Sequence, residues 1–222
     1  LFSTRSVAVG ATSAGTLLLD SGEKLSADLV IGADGFRSAI RDSLRLTRGT
    51  RDLPEGAIRI VVPRRPGERE GLTTEQWSGD CRLGIVPCSR EWLYLYMIGN
   101  AHDPRATAIP VDRAFWKERF PEEADVIGRI DPAAGRYDRL QMVSVTSWCH
   151  GCVALVGDAV HAQPPNLGQG AGMAIANAWA LGAVLDEFPG NVADALRAWE
   201  ARFRPLTDEV QRWSYRYGLI FY

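Results

Sequence analysis

The hydropathy of the chain changes rhythm twice. Up to residue 44 the apolar positions come in short runs. Val7–Gly10 and Thr16–Leu19 are joined by small residues, and Asp20-Ser21-Gly22-Glu23 is a turn signal ahead of Lys24-Leu25. That pattern predicts a small antiparallel ribbon. Leu29-Val30-Ile31 is unbroken and ends at Gly32, as suits a parallel strand buried on both faces. The turn Gly32-Ala33-Asp34-Gly35 follows, and residues 38–44 read as a helix. The charged, turn-rich stretch 45–54 reads as the crossing into a second region. From 56 to 147 the rhythm is that of strands, at 57–62, 74–78, 82–87, 92–98 and 139–147, with short helices over 113–120 and 122–129. Between the first two strands, Arg64–Gly71 reads as a hairpin loop with solvated charges. The rhythm changes again at Val153–Val156, an apolar strand. A polar, proline-containing loop runs from Gly157 to Gly168. From Gly170 the residues are small and apolar, with Ala at 171, 174, 176, 178, 180 and 183, which predicts a buried helix. A last stripe, Val192, Leu196, Trp199, Phe203, Leu206, Val210, Trp213 and Tyr217, keeps a helical period. Pro205 should kink or split that helix near Phe203–Arg204. Packing onto the chain's own domain is favoured over a coiled coil, because the stripe is short and holds a proline.

Chemistry concentrates at 153–185. Strand, tight turn and helix N-terminus make an anion site, because free N–H groups and the positive dipole end point into the turn. Asp158, at the strand end, needs donors, and sugar or ribitol hydroxyls supply them. Gly157 lets a ligand approach the backbone, as do Gly168, Gly170 and Gly172 one loop later. The run Gly168–Met173 is not the dinucleotide fingerprint G-x-G-x-x-G: its third glycine position falls on Met173, and Pro164-Pro165-Asn166 stands where a strand should end. A plain glycine-rich turn into a core helix remains the simpler alternative. At the other end, Asp34 is placed to accept from a sugar or a helix amide, and Arg41 to pair with Asp34 or a phosphate. The alternative there is an ordinary turn with an N-cap and a surface Arg.

Composition narrows the field. At 222 residues the chain holds one large or two small domains. A net charge of −2 gives no electrostatic case for nucleic acid or an anionic membrane. No apolar run reaches membrane-spanning length. The start, LFSTRSVAVG, lacks the pattern of a signal peptide, so a cytoplasmic location is expected. Cys149-His150-Gly151-Cys152 is a C-x-x-C, but Cys81 and Cys88 do not complete a zinc pattern, so structural thiols and no metal are expected. His161 reads as a hydrogen-bonded loop histidine. On the strand 92–98, Trp92, Tyr94, Tyr96 and Ile98 share one face and Leu93, Leu95 and Met97 the other. The aromatic face either lines an aromatic-substrate pocket or belongs to the core. Trp77 and Arg82 are further substrate candidates.

Residues 157–172, GDAVHAQPPNLGQGAG, resemble the second FAD-binding motif of the class A flavoprotein monooxygenases, the aromatic-hydroxylase family related to p-hydroxybenzoate hydroxylase. Residues 27–41, ADLVIGADGFRSAIR, resemble the family's Asp-Gly motif, associated with FAD and the NAD(P)H pyrophosphate. The two stand in the family's order, and the resemblance covers essentially the whole chain. It implies an α/β fold: the C-terminal part of a Rossmann-like FAD-binding domain, an inserted mainly antiparallel β substrate domain and C-terminal helices. The expected partition is 1–48 and 148–188 for FAD binding, 49–147 for substrate, and 189–222 for a terminal helical segment. Cofactor contacts are implied at Asp34, Gly35, Arg41, Gly157, Asp158, Pro165, Gly168, Gln169, Gly170, Ala171 and Gly172. Gly157-Asp158 would meet the ribitol, Pro165 would lie beside the isoalloxazine, and the amides of Ala171 and Gly172 would stabilise reduced flavin.

The implied activity is hydroxylation of an aromatic or other apolar small molecule by O2 through a flavin C4a-hydroperoxide, with NAD(P)H as reductant and no assigned catalytic side chain. Two departures are visible: Gly172 stands where Asn is frequent, and Asn177 where Asp is frequent. No G-x-G-x-x-G follows a strand anywhere. The chain is therefore expected to be a C-terminal fragment or one half of a split enzyme, with an N-terminal portion as partner and little FAD binding alone. A non-catalytic remnant or assembly module is the competing reading. A third keeps the flavin but oxidises or halogenates; neither Lys24 nor Lys117 sits in a halogenase-like motif.

Overall fold

The computed structural model describes residues 5–131 and 133–219. The chain divides into two compact units, Leu1–Arg51 with Gln141–Phe221, and Asp52–Leu140.

The first unit begins with the expected ribbon, β1 (Ala8–Thr12), β2 (Thr16–Leu19) and β3 (Lys24–Ser26), in antiparallel order β1-β2-β3. β4 (Val30–Gly32) lies parallel to β11 (Val153–Leu155), which pairs antiparallel with β10 (Cys149–His150). Both motifs thus leave neighbouring parallel strands at the same end. β11 is wholly buried, as a continuous apolar run demands. β4 corrects the expectation of burial on both faces: it is an edge strand among the described residues, and Ile31 is half exposed. After β4 comes α1 (Ala39–Ser43), capped by Ser38, whose Oγ accepts from the Arg41 amide at 2.9 Å.

The loop after β11 is more ordered than its polar sequence implies. It holds a helical turn, α4 (Asp158–His161), and a 3-10 turn, Pro165–Leu167. α5 (Gly170–Glu187) buries only Asn177, Ala180, Leu181 and Val184. The expectation of a buried helix is corrected: Ile175 is 72% and Trp179 78% exposed. α6 (Val192–Leu219) is one continuous helix, so Pro205 does not split it. Arg204, beside the proline, bonds Glu200 at 2.6 Å and Asp208 at 3.1 Å, bridging the interruption along the helix, and donates to the carbonyls of Val145 and Thr146. The apolar stripe packs only in its first half, where Leu196 and Trp199 are buried against Trp148 and the α5 side of the core. Leu206 and Trp213 face solvent, and Thr207, Ser214 and Gly218 are buried instead. The terminal helix falls within the first unit.

The second unit is built on a five-stranded sheet in the order β6-β7-β8-β5-β9, from β5 (Thr47–Pro63), β6 (Thr74–Ser78), β7 (Cys81–Pro87), β8 (Trp92–Asn100) and β9 (Arg136–Val145). The charged stretch 45–54 is a correction, because most of it is strand. β5 starts at Thr47, and its first half alternates outward with few buried positions, so no apolar pattern announces it. One sheet face carries Ile58, Ile60, Leu83, Ile85, Leu93, Leu95 and Met97. They pack with Phe115, Trp116, Val126 and Ile127 of α2 (Arg113–Arg119) and α3 (Ala124–Gly128). The loop charges at 64–71 are not simply solvated either. Glu68 binds Arg129, and Arg69 binds Glu123, in half-buried pairs that tie the loop to the α3 side. The Arg129 guanidinium holds the Glu68 carboxyl down at about 2.

Candidate functional site: a glycine-walled cleft

Two parallel strands ending together bring both motifs to one cleft in the first unit. Its volume is about 580 Å³. Ala33 and Gly35 line it from the first motif, and Val156, Gly157, Asp158, Gln163, Pro164, Pro165, Gly168, Gly170, Ala171 and Ala174 from the second. The backbone is bare where a ligand would approach. Gly157 has φ 60° and ψ −142°, a conformation open essentially only to glycine. Gly35 has φ 80°, with nothing within 4 Å of the place a Cβ would take. The N-terminus of α5 opens into the cleft through Gly170 and Ala171. Its cap residue, Gln169, makes no side-chain capping bond. The first helical bond comes only with the Met173 amide to Gln169 O at 2.9 Å, so the amides of residues 170–172 have no partner within the helix. Asp158 lies exposed at the rim and receives no hydrogen bond from the described residues.

The sequence-expected residues separate here. Gly35, Gly157, Asp158, Pro165, Gly168, Gly170 and Ala171 line the cleft; Asp34, Arg41, Gln169 and Gly172 do not. Asp34 accepts from the Ile40 amide at 3.2 Å, the helix-amide option. Arg41 is a correction, for it pairs with neither Asp34 nor an open site. It is 2% exposed; its Nη1 donates to Phe36 O at 2.8 Å and Ala159 O at 3.0 Å, and its Nε to Thr47 Oγ1 at 2.8 Å and Asp42 Oδ1 at 3.2 Å. A buried guanidinium is kept only where carbonyls and a carboxylate satisfy it. Here the carbonyls belong to the two motifs, so Arg41 clamps them together.

Sequence reasoning missed the residues that hold the loop. Gln211 Nε2 donates to Val143 O and Ala162 O, both at 2.8 Å. Ser214 Oγ donates to Pro164 O at 2.5 Å, and Asn166 Nδ2 to Ser214 O at 2.9 Å. These loop carbonyls need donors, which is why α6 turns a polar stripe inward after Pro205. Positions 207, 211, 214 and 218 do repeat at helical spacing, one residue behind the apolar stripe; that was the available signal. Asn177 is also explained. Its Nδ2 donates to Thr207 Oγ1 at 3.0 Å in a buried contact that joins α5 to α6.

His161 corrects another expectation. It is buried, and neither ring nitrogen has a partner among the described residues. Burial holds its pKa down and keeps it neutral. Cys149 and Cys152 are free thiols. Burial pushes Cys149 up to about 11, which removes thiolate chemistry near neutrality. No cluster of possible metal ligands occurs among the described residues, nor any helix long and apolar enough to cross a membrane.

In the second unit, the sheet face opposite the core gathers Trp77, Arg82, Tyr94 and Tyr96. The register pairs Trp77 with Arg82, Gly84 with Tyr96 and Val86 with Tyr94. Leu93, Leu95 and Met97 fill the core, while on the aromatic face Ile98 is buried and the tyrosines stay partly exposed. Tyr96 Oη donates to Glu75 at 2.8 Å, and Trp77 Nε1 to the other Glu75 oxygen at 3.1 Å. Burial, with the Glu75 carboxylate beside it, pushes the Tyr96 phenol up. Arg82 sits 4.6 Å from the Trp77 ring centroid and 3.4 Å from Glu55, both charges of that pair being buried. An aromatic platform results, with the arginine already compensated.

A parallel strand pair, two strand-end motifs and an uncapped helix N-terminus over bare backbone define a cleft built for a phosphorylated, sugar-bearing cofactor. The chain matches the model of the FAD binding domain family over residues 8–213, and it belongs to that family, that of the class A flavoprotein monooxygenases. It is 36% identical over 225 residues to the probable 2-heptyl-3-hydroxy-4(1H)-quinolone synthase AqdB2 of Rhodococcus erythropolis, covering 99% of this chain and 58% of that protein. Among solved structures, 2-methyl-3-hydroxypyridine-5-carboxylic acid oxygenase in its tetrameric form superposes with a TM-score of 0.89 at 40% identity, over 98% of this chain and 60% of the other. Klebsiella pneumoniae HpxO, complexed with FAD and uric acid, superposes with a TM-score of 0.78 at 26% identity, over 93% and 55%. The chain thus spans somewhat under two thirds of the length of the proteins it matches.

Proposed function

We propose that the chain is the C-terminal portion, or one half, of an FAD-dependent monooxygenase that takes reducing equivalents from NAD(P)H and one oxygen atom from O2. The observation that carries this is the convergence of both motifs on one cleft, lined in part by the bare backbone of Gly35, Gly157, Gly168 and Gly170. The chain's own residues would hold the cofactor. Asp158 would accept from ribitol hydroxyls, Gly157 and Gly35 would admit it against bare backbone, and Pro165 would wall its ring. The unpartnered amides of Gly170 and Ala171 would donate to its electron-rich edge. Activation of O2 is the chemistry the reduced flavin supplies when bound.

The substrate we propose is a nitrogen-bearing aromatic small molecule. Support comes from the quinolone, pyridine and uric acid in the names of the similar proteins, and from the aromatic platform of Trp77, Tyr94 and Tyr96 beside Arg82. An N-terminal portion would cover the open edge of β4 and the face of α5 that bears Ile175 and Trp179, surface too apolar to be left to water. The test is a flavin spectrum and the mass of every polypeptide in purified material. Yellow absorbance with a second polypeptide, and NAD(P)H oxidation stimulated by N-heteroaromatic phenols, is the expected result. Tight stoichiometric FAD on this chain alone would refute the fragment reading, and no flavin under any pairing would refute the enzyme.

A further inference from the structure

The open face of the second unit's sheet holds a carboxylate whose partners are all uncharged. Strand register puts Glu75 opposite Gly84, Gly84 opposite Tyr96 and Tyr96 opposite Arg59, and residues paired in this way share a face. Gly84 makes the row possible, because a Cβ there would come within 1.8 Å of the Tyr96 ring. The tyrosine of β8 therefore lies across β7 and reaches β6, where its Oη donates to Glu75 Oε2 at 2.8 Å. Trp77 Nε1 donates to Oε1 of the same group at 3.1 Å. The guanidiniums nearby are matched with other carboxylates: Arg82 meets Glu55 at 3.4 Å, and Arg59 meets Asp138 at 3.3 Å. Glu75 is exposed, and it makes no ion pair among the described residues. A carboxylate oxygen accepts more than one hydrogen bond, so both oxygens keep a lone pair for a ligand.

We infer that Glu75 is the residue that sets substrate specificity: it accepts a hydrogen bond from the ring N–H of an uncharged heteroaromatic and turns away ligands that carry a carboxylate. This rests on the proposed aromatic substrate and narrows its class. Tyr94 and Tyr96 offer a ring contact area and hold no orientation in the plane; an acceptor at the edge of Tyr96 supplies one. Glu75 can only accept, so it calls for an N–H, and a bond to a charged acceptor is stronger than one between neutral groups. The same charge repels an anion. No guanidinium stands ready to offset that, because drawing Arg82 away would strand the buried Glu55 carboxylate. Selection thus combines one attraction with one repulsion. Glu75 is a binding residue in this reading and moves no proton.

The test uses the flavin-loaded enzyme complete with its N-terminal portion, and three ligands: 4(1H)-quinolone, its N-methyl derivative and its 2-carboxylic acid. Calorimetric Kd and the KM and kcat of NAD(P)H oxidation are read for each. The wild type should favour the parent over both others by roughly tenfold or more. Glu75→Gln keeps the shape and an acceptor and loses the charge. It should cut the preference over the carboxylic acid by roughly tenfold, through Kd and KM and not kcat, with an unchanged melting temperature. A platform that had merely loosened would weaken the parent and the acid alike, leaving their ratio at the wild-type value, and that result would overturn the inference. So would a wild type that binds the acid or the N-methyl derivative as tightly as the parent. A wild type that binds none of the three would instead overturn the N-heteroaromatic substrate itself.

Discussion

Replacing Arg41 with Met removes the clamp between the motifs. The side chain keeps its bulk and loses its bonds to Phe36 O, Ala159 O and Thr47 Oγ1. Hydrogen bonds to a charged group contribute roughly 1.5–3 kcal/mol each, and a carbonyl stranded in a buried site costs about 1–3 kcal/mol. The exposed Asp42 partner adds little. One buried and one part-buried carbonyl therefore place the loss at about 3–5 kcal/mol, a large part of a stability of roughly 5–15 kcal/mol. Urea unfolding at 25 °C followed by the fluorescence of Trp148 and Trp199, which sit 5.0 Å apart in this core, reads that loss as a lower midpoint with unchanged slope. Arg41→Lys keeps the charge but cannot fork to both carbonyls and a hydroxyl, so it should recover half the loss at most. The reasoning fails if Arg41→Met costs less than about 1 kcal/mol, the lower bound for one stranded carbonyl. If FAD affinity collapses in a variant that stable, the guanidinium serves the ligand and not the clamp.

Five further outcomes are expected. Gly84→Ala would drive a Cβ to 1.8 Å from the Tyr96 ring, displacing Tyr96 from Glu75 at a cost of about 1–3 kcal/mol; Gly182→Ala, with open space on a helix, should raise stability by about 0.5–1 kcal/mol, both read by thermal unfolding. The Tyr96 phenol keeps its proton to higher pH than an unfolded tyrosine, so its contribution to stability is complete below about pH 10 and declines above it as the unfolded chain ionises first; Glu75→Gln should shrink that effect in an absorbance titration of the phenols. With a thiol reagent at pH 8, exposed Cys88 should react first, and Cys81 and Cys149, pushed up to about 12 and about 11 by burial, only on unfolding; fast labelling of Cys149 would contradict its placement. Glu68, held at about 2 by Arg129, stabilises above the normal carboxylate range and stops doing so as pH falls through about 2; Arg129→Met should move the acid unfolding midpoint upward.

Much of the site was legible because its chemistry is written in backbone. Gly157 and Gly168 take positive φ, which favours glycine, and such needs leave a local mark that survives without knowledge of the fold. The same holds for Asp158 after a buried strand and for Ser38 as a cap. Arg41 was legible as an important residue and misleading as to its partner, because nothing local distinguishes a guanidinium that faces a phosphate from one that bonds Ala159 O, 118 residues away.

The sequence by itself determined the order of elements, the two strand–turn–helix units and the family, since period, glycine placement and capping act over a few residues. It also placed Tyr94 and Tyr96 on one face of a strand, because strand geometry alternates. Which face is core was decided by tertiary structure: α2 and α3 pack on the face of Leu93, Leu95 and Met97, opposite the tyrosines. The terminal helix divides the same way. Its period was local, but the side it buries after Pro205 is set by carbonyls at Val143, Ala162 and Pro164 that must find donors. Burial is a property of what lies opposite, and what lies opposite comes from distant parts of the chain.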